Sequence, residues 1–404
     1  VIFLVTLFST SGMWNWRYQE WVQTSQQFHE QLILIAPFAA AAATYCACRL
    51  TGPTRIFAQP CAVRSGAPVV RRHLGLLGGW FLLAYLLGLA PLVVLTVLRA
   101  EAEGPDLLAM LTGLAGLAAV IGIGYLVGVV TGSAWPAPFV FVVMFVILQA
   151  TAYYHDTFAA VDPVIHFDAT LGRTEAVPIT LYRLAFFLLV VVVTAVLAAR
   201  ALTRSRRVTI PSPGAAALLI LVAAGIVVPM VWTPALLAEE TNPSTVCQRS
   251  SRLTYCVHAG HRSELATLRA TAADVFRVSG PPPPSVRRVR DAALATPGDD
   301  LLAADTVWVH LYPGESTRQD TLPAVADAVA GVNICTARYG VTTSVPQSEQ
   351  LASNLASAIQ QRAGYPGAVA PTRFDRMTPA QFRNWVAAHR PAIAACGLTT
   401  QQMP

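Results

Sequence analysis

The chain has 404 residues, of which 54% are hydrophobic and only 12% are charged, and its formal net charge is +6. Globular domains carry about 25% charged residues, so much of this chain is expected to face lipid. All 28 basic residues are arginines. Without lysine the chain cannot contain a G-x-x-x-x-G-K-[ST] phosphate-binding loop, and it also lacks H-E-x-x-H, G-x-S-x-G and C-x-x-C patterns. We therefore predict neither a catalytic site nor a metal site.

Charged residues are distributed unevenly along the chain. Residues 1–236 contain 13 arginines and 9 acidic residues, whereas the shorter segment 237–404 contains 15 arginines and 13 acidic residues. This difference predicts two domains: a transmembrane domain over 1–236 and a water-soluble domain over 237–404.

Apolar runs of about 20 residues predict the membrane spans. The chain begins at Val1 inside such a run, so 1–13 is interpreted as a truncated first span that continues upstream. Six full spans are predicted at 31–49, 74–98, 107–131, 136–154, 182–200 and 214–236. Arg183, at one rim, is the only charge inside the later five spans. The absence of deeper ionisable residues argues against a proton- or sodium-driven carrier.

The connecting segments predict the orientation of these spans. Segments 49–73 and 200–213 contain arginines and no acidic residue, whereas 99–106 and 155–181 are acidic. Basic loops remain in the cytoplasm, so 237–404 is expected outside the cell membrane. An aromatic belt is expected where the first span meets the outer face, at Trp14, Trp16, Tyr18 and Trp21.

The segment after the last span reads as a small α/β domain. Strands are predicted at "RLTYCVHA" and "TVWVHLY", where apolar residues alternate. Helices are predicted at "SELATLRATAADVFRVSG", "TLPAVADAVAGVN", "SEQLASNLASAIQQRAG" and "TPAQFRNWVAAHRPAIAAC". The "PPPP" run at 281–284 is expected to be a rigid break with polyproline character.

Four cysteines lie in this domain, an even number that fits an oxidising compartment. Four cysteines allow three pairings. We favour Cys247 with Cys256, because the short segment between them suits a hairpin. Cys335 and Cys396 would then join the end of a strand to the C-terminal helix. The predicted fold is a polytopic α-helical membrane domain, with six full spans and one truncated N-terminal span, followed by a small disulfide-bonded α/β extracytoplasmic domain.

Zinc bound by the stretch "CQRSSRLTYCVHAGH" is the alternative interpretation. It would use Cys247, Cys256, His258 and His261. Thiolate ligands oxidise outside the cell, and two histidines three residues apart on an extended chain point to opposite faces. The disulfide is therefore favoured. A catalytic cluster of His258, Glu264, His310 and Glu315 is a further, less favoured alternative.

The order of parts resembles the permease subunit of an actinobacterial ABC-2 type (type V) ABC exporter over roughly residues 1–213. The stretch "TGPTRIFAQPCAVRSGAPVVRRH" stands where that family carries the coupling helix that contacts the ATPase. The stretch "HDTFAAVDPVIHFDATLGRTEAVPITL" stands where the family carries an extracytoplasmic hairpin. The span 214–236 and the domain after it depart from the family pattern, although "YCVHAGHRSEL" resembles the entry to outer domains on some actinobacterial ABC-associated membrane proteins.

This resemblance implies the site residues. The coupling loop would use Arg55, Ile56, Phe57, Arg64, Arg71 and Arg72. The extracytoplasmic hairpin would carry Asp162, His166 and Asp168.

The resemblance also implies the function of a membrane-spanning transporter subunit. Its cargo would be an amphipathic peptide, lipid or antibiotic, and it would be no enzyme, because ATP and Mg²⁺ would bind to a separate cytosolic ABC ATPase. The expected partners are that ATPase, a second permease copy or a homologous permease, and the lipid bilayer. No nucleic acid and no cofactor in this chain are expected. The alternatives are a membrane-anchored extracytoplasmic sensor or envelope assembly protein without a transport pathway, and a membrane enzyme with an outward-facing site.

Overall fold

A computed structural model describes residues 1–50, 66–153, 158–164, 170–203, 213–232, 235–250, 252–296, 299–301, 303, 305–339, 347–365 and 372–404. The chain is mostly helical. It divides into two compact units, each described by itself below. The membrane-inserted unit contains Val1–Asn15 and Gln19–Ala238, and the α/β unit contains Trp16–Tyr18 and Glu239–Pro404.

The membrane-inserted unit consists almost entirely of helices. They are α1 (Ile2–Thr10), α2 (Trp21–Glu30), α3 (Leu32–Cys48), α4 (Gly66–Arg99), α5 (Leu107–Thr131), α6 (Ala137–Tyr153), α7 (Val177–Thr203) and α8 (Pro213–Trp232). A two-stranded sheet pairs β1 (Arg173–Glu175) with β2 (Leu237–Glu239).

Four helical stretches among the described residues are long and apolar enough to cross a membrane. They are Trp21–Cys48, which combines α2 and α3, Gly66–Arg99, Leu107–Thr131 and Val177–Leu202. Two apolar helices, α6 and α8, are shorter over their described residues. The structure thus supports membrane insertion, and the predicted number of six full spans stays a prediction.

Close backbone packing of α3 against α5 forms the centre of this unit. A Cβ atom at Gly124 would lie 2.2 Å from the carbonyl oxygen of Ala40, and one at Gly128 would lie 2.2 Å from that of Thr44. The hydroxyl of Thr44 donates to the carbonyl oxygen of Gly124 at 2.8 Å. Helices in lipid associate through such small residues, because lipid chains are as apolar as leucine and bulky apolar residues gain little from the contact.

The α/β unit is built on a four-stranded sheet in the order β3-β4-β5-β6. The strands are β3 (Thr245–Ser250), β4 (Leu253–His258), β5 (Arg288–Asp291) and β6 (Thr306–Val309). β3 and β4 are antiparallel, and the other two pairs are parallel. The strands predicted at "RLTYCVHA" and "TVWVHLY" are confirmed as β4 and β6, whereas β3 and β5 were not predicted.

Helices cover one face of this sheet. They are α9 (Leu265–Ser279), α10 (Thr317–Ala330), α11 (Val332–Tyr339), α12 (Gln347–Arg362) and α13 (Pro379–Ala394). Buried residues at alternate strand positions, including Tyr255, Val289 and Val307, share one hydrophobic core with residues of α9, α10, α12 and α13. Because side chains alternate along a strand, the intervening positions lie on the opposite face.

Both favoured cysteine pairs lie at disulfide-bonding distance. Cys247 and Cys256 face each other across β3 and β4, with their Cα atoms 4.2 Å apart. Cys335 and Cys396 have Cα atoms 5.1 Å apart. The expectation that Cys335 ends a strand is wrong, because this residue lies within the helix α11.

Candidate functional site in the membrane-inserted unit

A buried arginine is the most unusual residue of this unit. Arg183 lies on α7 and is fully buried. Its Nη2 donates to the carbonyl oxygen of Asp162 at 2.7 Å, and its Nη1 donates to Oε1 of Glu175 at 3.3 Å. The position of Arg183 at a membrane rim stays a prediction. α7 begins at Val177, which places Arg183 about 9 Å along the helix at 1.5 Å per residue.

His29, near the end of α2, is the second buried partner of Arg183. Its Nε2 lies 2.8 Å from the carbonyl oxygen of Ala109, and its Nδ1 lies 3.4 Å from Nη2 of Arg183. A neutral imidazole can donate from Nε2 to the carbonyl while its Nδ1 accepts from the guanidinium. A protonated ring would place a second positive charge beside Arg183. Nδ1 also lies 3.2 Å from the carbonyl oxygen of Pro163, which can only accept, so the nearby charge of Arg183 and not the hydrogen-bond geometry favours a neutral His29.

Glu175 balances the charge of Arg183 from the end of β1. Its side chain is 3% exposed. Burial raises the pKa of Glu175, and the positive charge of Arg183 acts in the opposite direction. Within the described part of the chain, Oε2 of Glu175 and Nε of Arg183 have no hydrogen-bond partner. These two polar atoms give the site spare capacity to bind a water molecule or a small polar ligand.

A cavity of about 170 Å³ adjoins Glu175. Its polar lining consists of Ser25, Gln26, Glu103, Asp106, Thr174 and Glu175. Ala109, whose carbonyl oxygen binds His29, also contributes to the wall. We call His29, Asp162, Glu175 and Arg183 the Arg183 cluster. Glu175 is the member of this cluster that lines the cavity.

A larger groove lies between α4, α5 and α7 and has a volume of about 770 Å³. Small and aliphatic residues of these three helices form most of its lining. Gly75, Gly78 and Gly79 lie on α4, where an added Cβ would meet open space. Arg71, in the second turn of α4, and Arg200, in the last turn of α7, also line the groove. The groove is thus apolar over most of its length and has two cationic side chains.

The sequence-predicted site residues are described only in part. Four residues of the coupling loop lie outside the described residues: Arg55, Ile56, Phe57 and Arg64. Arg71 and Arg72 are exposed near the beginning of α4. Of the predicted hairpin, His166 and Asp168 lie outside the described residues, whereas Asp162 belongs to the Arg183 cluster.

The two histidines of the α/β unit bind structural partners. Nδ1 of His261 lies 2.5 Å from Oδ2 of Asp291. Nδ1 of His258 accepts from the backbone N–H of Gly260 at 3.2 Å, and burial lowers the pKa of His258. Nε2 of His258 must then carry the proton, so it donates to the hydroxyl of Ser244, 3.3 Å away. In this tautomer His258 cannot act as a base for Ser244.

The remaining members of the catalytic cluster that the sequence left open also have other partners. Oε2 of Glu264 accepts from Nη2 of Arg17 at 2.8 Å and from the hydroxyl of Thr317. His310 is exposed, and its ring stacks against that of Tyr312. Glu315, the fourth member, interacts with the carboxyl group of Asp320 on α10.

Comparison of the chain with protein-family profiles, with curated proteins and with solved structures returned no match.

Sequence reasoning missed the Arg183 cluster, although two signals pointed to it. Arg183 is the only charge inside the later five predicted spans, and His29 and Glu30 lie just before the apolar run that begins at Leu32. Arg183 was assigned to a membrane rim and His29 was left outside the span predicted at 31–49, because hydropathy windows report composition and not side-chain contacts. The partner residues could not be found this way, since Asp162 and His29 are 21 and 154 residues away from Arg183.

Proposed function

We propose that this chain is the membrane-spanning subunit of a transporter that moves an amphipathic peptide, lipid or antibiotic across the cell membrane, with energy from a separate cytosolic ABC ATPase. The groove between α4, α5 and α7 carries this proposal. Its volume of about 770 Å³ falls within the range of about 300–1,000 Å³ that is typical of ligand pockets. An apolar wall with Arg71 and Arg200 suits a molecule that has a hydrocarbon part and an anionic group.

The composition supports an external energy source. A chain without lysine has no Walker-type loop of its own, so ATP and Mg²⁺ would bind to the partner ATPase. In the proposed orientation the basic loops 49–73 and 200–213 are cytoplasmic and the α/β unit is extracytoplasmic. Arg71 and Arg200 then mark the cytoplasmic end of the groove. An anionic cargo would enter there, next to the proposed coupling loop, as in the ABC-2 permeases that the chain resembles.

A second copy or a similar permease would complete the pathway. In the most apolar stretch of α4, and likewise in that of α7, only 28% of the residues are buried by the rest of the chain. Large apolar side chains on α4 remain exposed, including Leu76 at 58% and Trp80 at 68%. Such faces suit lipid and a neighbouring membrane subunit.

The proposed coupling loop can be tested by changing Ile56 and Phe57 together to Asp. The double variant should still insert, because the topology-determining arginines remain, but it should lose the ATPase in pull-downs from native membranes. The matched control changes Leu301 and Tyr312 to Asp, since these are exposed apolar residues of the α/β unit. Equal ATPase recovery with all three proteins would contradict coupling through this loop and would favour the sensor or assembly role.

An ion-coupled carrier is the second candidate function, and the Arg183 cluster favours it. Ionisable residues buried in a membrane usually mark proton or substrate pathways. The two candidates differ in inhibitor response. Accumulation of cargo in inverted vesicles should be abolished by vanadate and be insensitive to a protonophore if an ATPase supplies the energy. The opposite pattern would favour the carrier.

A further inference from the structure

A row of polar residues crosses the sheet of the α/β unit on the face opposite its helices. Arg249 on β3 pairs with Thr254 on β4, Thr254 pairs with Arg288 on β5, and Arg288 pairs with Thr306 on β6. Residues paired in this way project to the same side of a sheet. The neighbours Leu253, Val289 and Val307 belong to the hydrophobic core on the other side, so the row faces away from the core.

Four arginines line a cleft at this row. The cleft has a volume of about 700 Å³ and is lined by Arg249, Arg252, Thr254, Pro282, Pro283, Pro284, Val286, Arg287, Arg288 and Asp305. All four arginines are exposed. Asp305 is the only acidic residue of this lining over the described ranges, so the cleft carries a strong excess of positive charge.

Three of these guanidinium groups have no partner in the part of the chain that the structure describes. Arg288 donates to Oδ2 of Asp305 at 2.5 Å, which orients its side chain. Arg249, Arg252 and Arg287 make no side-chain hydrogen bond and no ion pair within the described residues. Like charges that share one cleft repel each other, so an anion that bridges them would be stabilised by several of them at once. The guanidinium fork binds phosphate oxygens in a bidentate manner.

The walls of the cleft are rigid. Pro282, Pro283 and Pro284 form one side, and their rings restrict the backbone angle φ. The other side belongs to the β3–β4 hairpin, which the Cys247–Cys256 pair crosses. A cleft whose walls are held in place loses little conformational entropy when it binds a ligand.

We propose that this cleft binds a ligand with several phosphate groups and no nucleobases. The volume is large enough for more than one phosphate group, and four arginines match a multiply charged anion better than a single one. Among the described residues, the lining of the cleft contains no aromatic side chain. Trp308, in the adjacent row of the same face, is covered by the guanidinium of Arg290, whose Cζ lies 4.8 Å from the ring centre. Bases would therefore find no open stacking platform there, although stacking is a main source of affinity for single-stranded nucleic acids.

The test measures binding of tripolyphosphate to the full chain in a neutral detergent by isothermal titration calorimetry. Changing Arg249 and Arg287 together to Gln should raise the Kd at least tenfold. The matched control changes Arg262 and Arg383 to Gln, because these two arginines are exposed and lie outside the cleft. It removes the same charge and should change the Kd less than twofold. Replacing Arg249 and Arg287 by Lys should give an intermediate loss, since lysine retains charge without the fork.

Several outcomes would overturn the proposal. Wild-type protein that does not bind tripolyphosphate, or equal losses in the Gln variant and its control, would show that no specific site exists. Tighter binding of polyglutamate or of an oligonucleotide of equal charge would reject the ligand class. As a folding control, the Gln variant must keep both disulfides and the elution volume of the wild type. If the Gln variant does not fold, the loss of affinity in the Lys variant tests the proposal instead.

A second experiment distinguishes the two possible sources of the phosphate groups, a lipid headgroup and a soluble polymer. The titration is repeated in nanodiscs of phosphatidylcholine with and without phosphatidylglycerol. Competition by phosphatidylglycerol in the wild type, and not in the Gln variant, supports the proposal with lipid headgroups as the source. Equal affinity in both nanodiscs supports it with a soluble phosphate-bearing polymer as the source.

Discussion

The two units bury their interiors with different kinds of residue. In the membrane-inserted unit, glycine and alanine bring α3 and α5 into backbone contact, as at Gly124 and Ala40. In the α/β unit, branched and aromatic side chains such as Val289 and Phe374 fill one core. Water drives the second arrangement but not the first, because lipid already surrounds apolar side chains. The solvent of each unit thus determines which substitutions are tolerated in it.

The two units also treat their arginines differently. Arg183 is fully buried and held by Glu175, His29 and the carbonyl oxygen of Asp162. The cleft arginines of the α/β unit are exposed, and Arg249 and Arg287 lack a partner among the described residues. A buried charge must be compensated within the protein, whereas an exposed charge is stabilised by water and remains available to a ligand.

The largest effect is expected at the close contact of α3 and α5. In Gly124→Leu the new side chain would collide with the backbone of Ala40, which cannot move without displacing α3. Extra methylenes in a packed core typically cost about 1–3 kcal/mol, and a whole leucine side chain against backbone that cannot move should exceed this range and prevent the close contact of the two helices. We expect loss of the monodisperse peak in size-exclusion chromatography after solubilisation. Gly12→Leu, where a Cβ meets open space, is the control and should elute like the wild type.

The second effect concerns the Arg183 cluster. Arg183→Met leaves the buried carboxyl group of Glu175 without its cation, and removal of one partner of a buried pair costs about 3–5 kcal/mol. Thermal unfolding in detergent should show a lower Tm. Adding Glu175→Gln to Arg183→Met should restore much of the loss, because no uncompensated charge then remains. If the double variant is no more stable than the single one, Glu175 is not the group that balances Arg183.

The third effect separates the two disulfides. Cys335 and Cys396 are 61 positions apart, and Cys247 and Cys256 only nine. In the chain-entropy description the longer loop contributes about 4 kcal/mol and the shorter about 3 kcal/mol. Replacing Cys335 and Cys396 by Ser should therefore destabilise the α/β unit more, as measured by hydrogen exchange of its amides in the full chain.

A control for the disulfide measurement lies in the other unit. Cys46 and Cys48 are free thiols, and changing both to Ser should leave exchange in the α/β unit unchanged. Mass spectrometry without reductant should find the two predicted pairs. Four free thiols, or a different pairing, would contradict the assignment.

The smallest effect is a pH dependence of the α/β unit. Burial raises the pKa of Asp327 on α10 to about 6, above the ordinary value of 3.8. The folded state then binds the proton more tightly than the unfolded state, so stability is highest at low pH and falls between about pH 4 and pH 6. Asp327→Asn should flatten this slope and stabilise the unit at pH 7, because the buried carboxylate charge is removed. Hydrogen exchange of the α10 amides, compared at pH 5 and pH 7, measures this pH dependence of stability.

Part of this slope should remain in the Asp327→Asn variant. Burial also raises the pKa of Asp320 to about 6, so this second carboxyl group contributes in the same direction. Asp300→Asn changes an exposed carboxylate and serves as the control. A steeper pH dependence in Asp327→Asn than in the wild type would contradict the assigned direction.

Local patterns made part of the structure predictable. The apolar runs at 74–98 and 107–131 correspond to α4 and α5, because hydropathy over 20 residues is a property of the segment itself. The Cys247–Cys256 pair was predictable because the hairpin is short. The helix predicted at "TPAQFRNWVAAHRPAIAAC" corresponds to α13, which Thr378 caps: its hydroxyl accepts from the backbone N–H of Gln381.

Features that depend on distant residues were not predictable in this way. Four-residue strands such as β5 carry too few positions for an alternating pattern, and neighbouring strands define them. The depth of Arg183 depends on where α7 begins. The arginine cleft arises only when β3, β4 and β5 align in register. Two of its arginines, Arg249 and Arg288, are 39 positions apart in the sequence.

The central claim is that a cytosolic ATPase drives an amphipathic anion through the groove between α4, α5 and α7. The most direct measurement is the ATPase activity of the complex purified from native membranes, with and without an anionic amphiphile such as lysophosphatidylglycerol. We expect stimulation by the amphiphile in the wild type and in Gly12→Leu, and none when Gly78 and Gly79 are both changed to Leu to fill the groove. Absence of a co-purifying ATPase, or equal stimulation of the filled variant, would contradict the account.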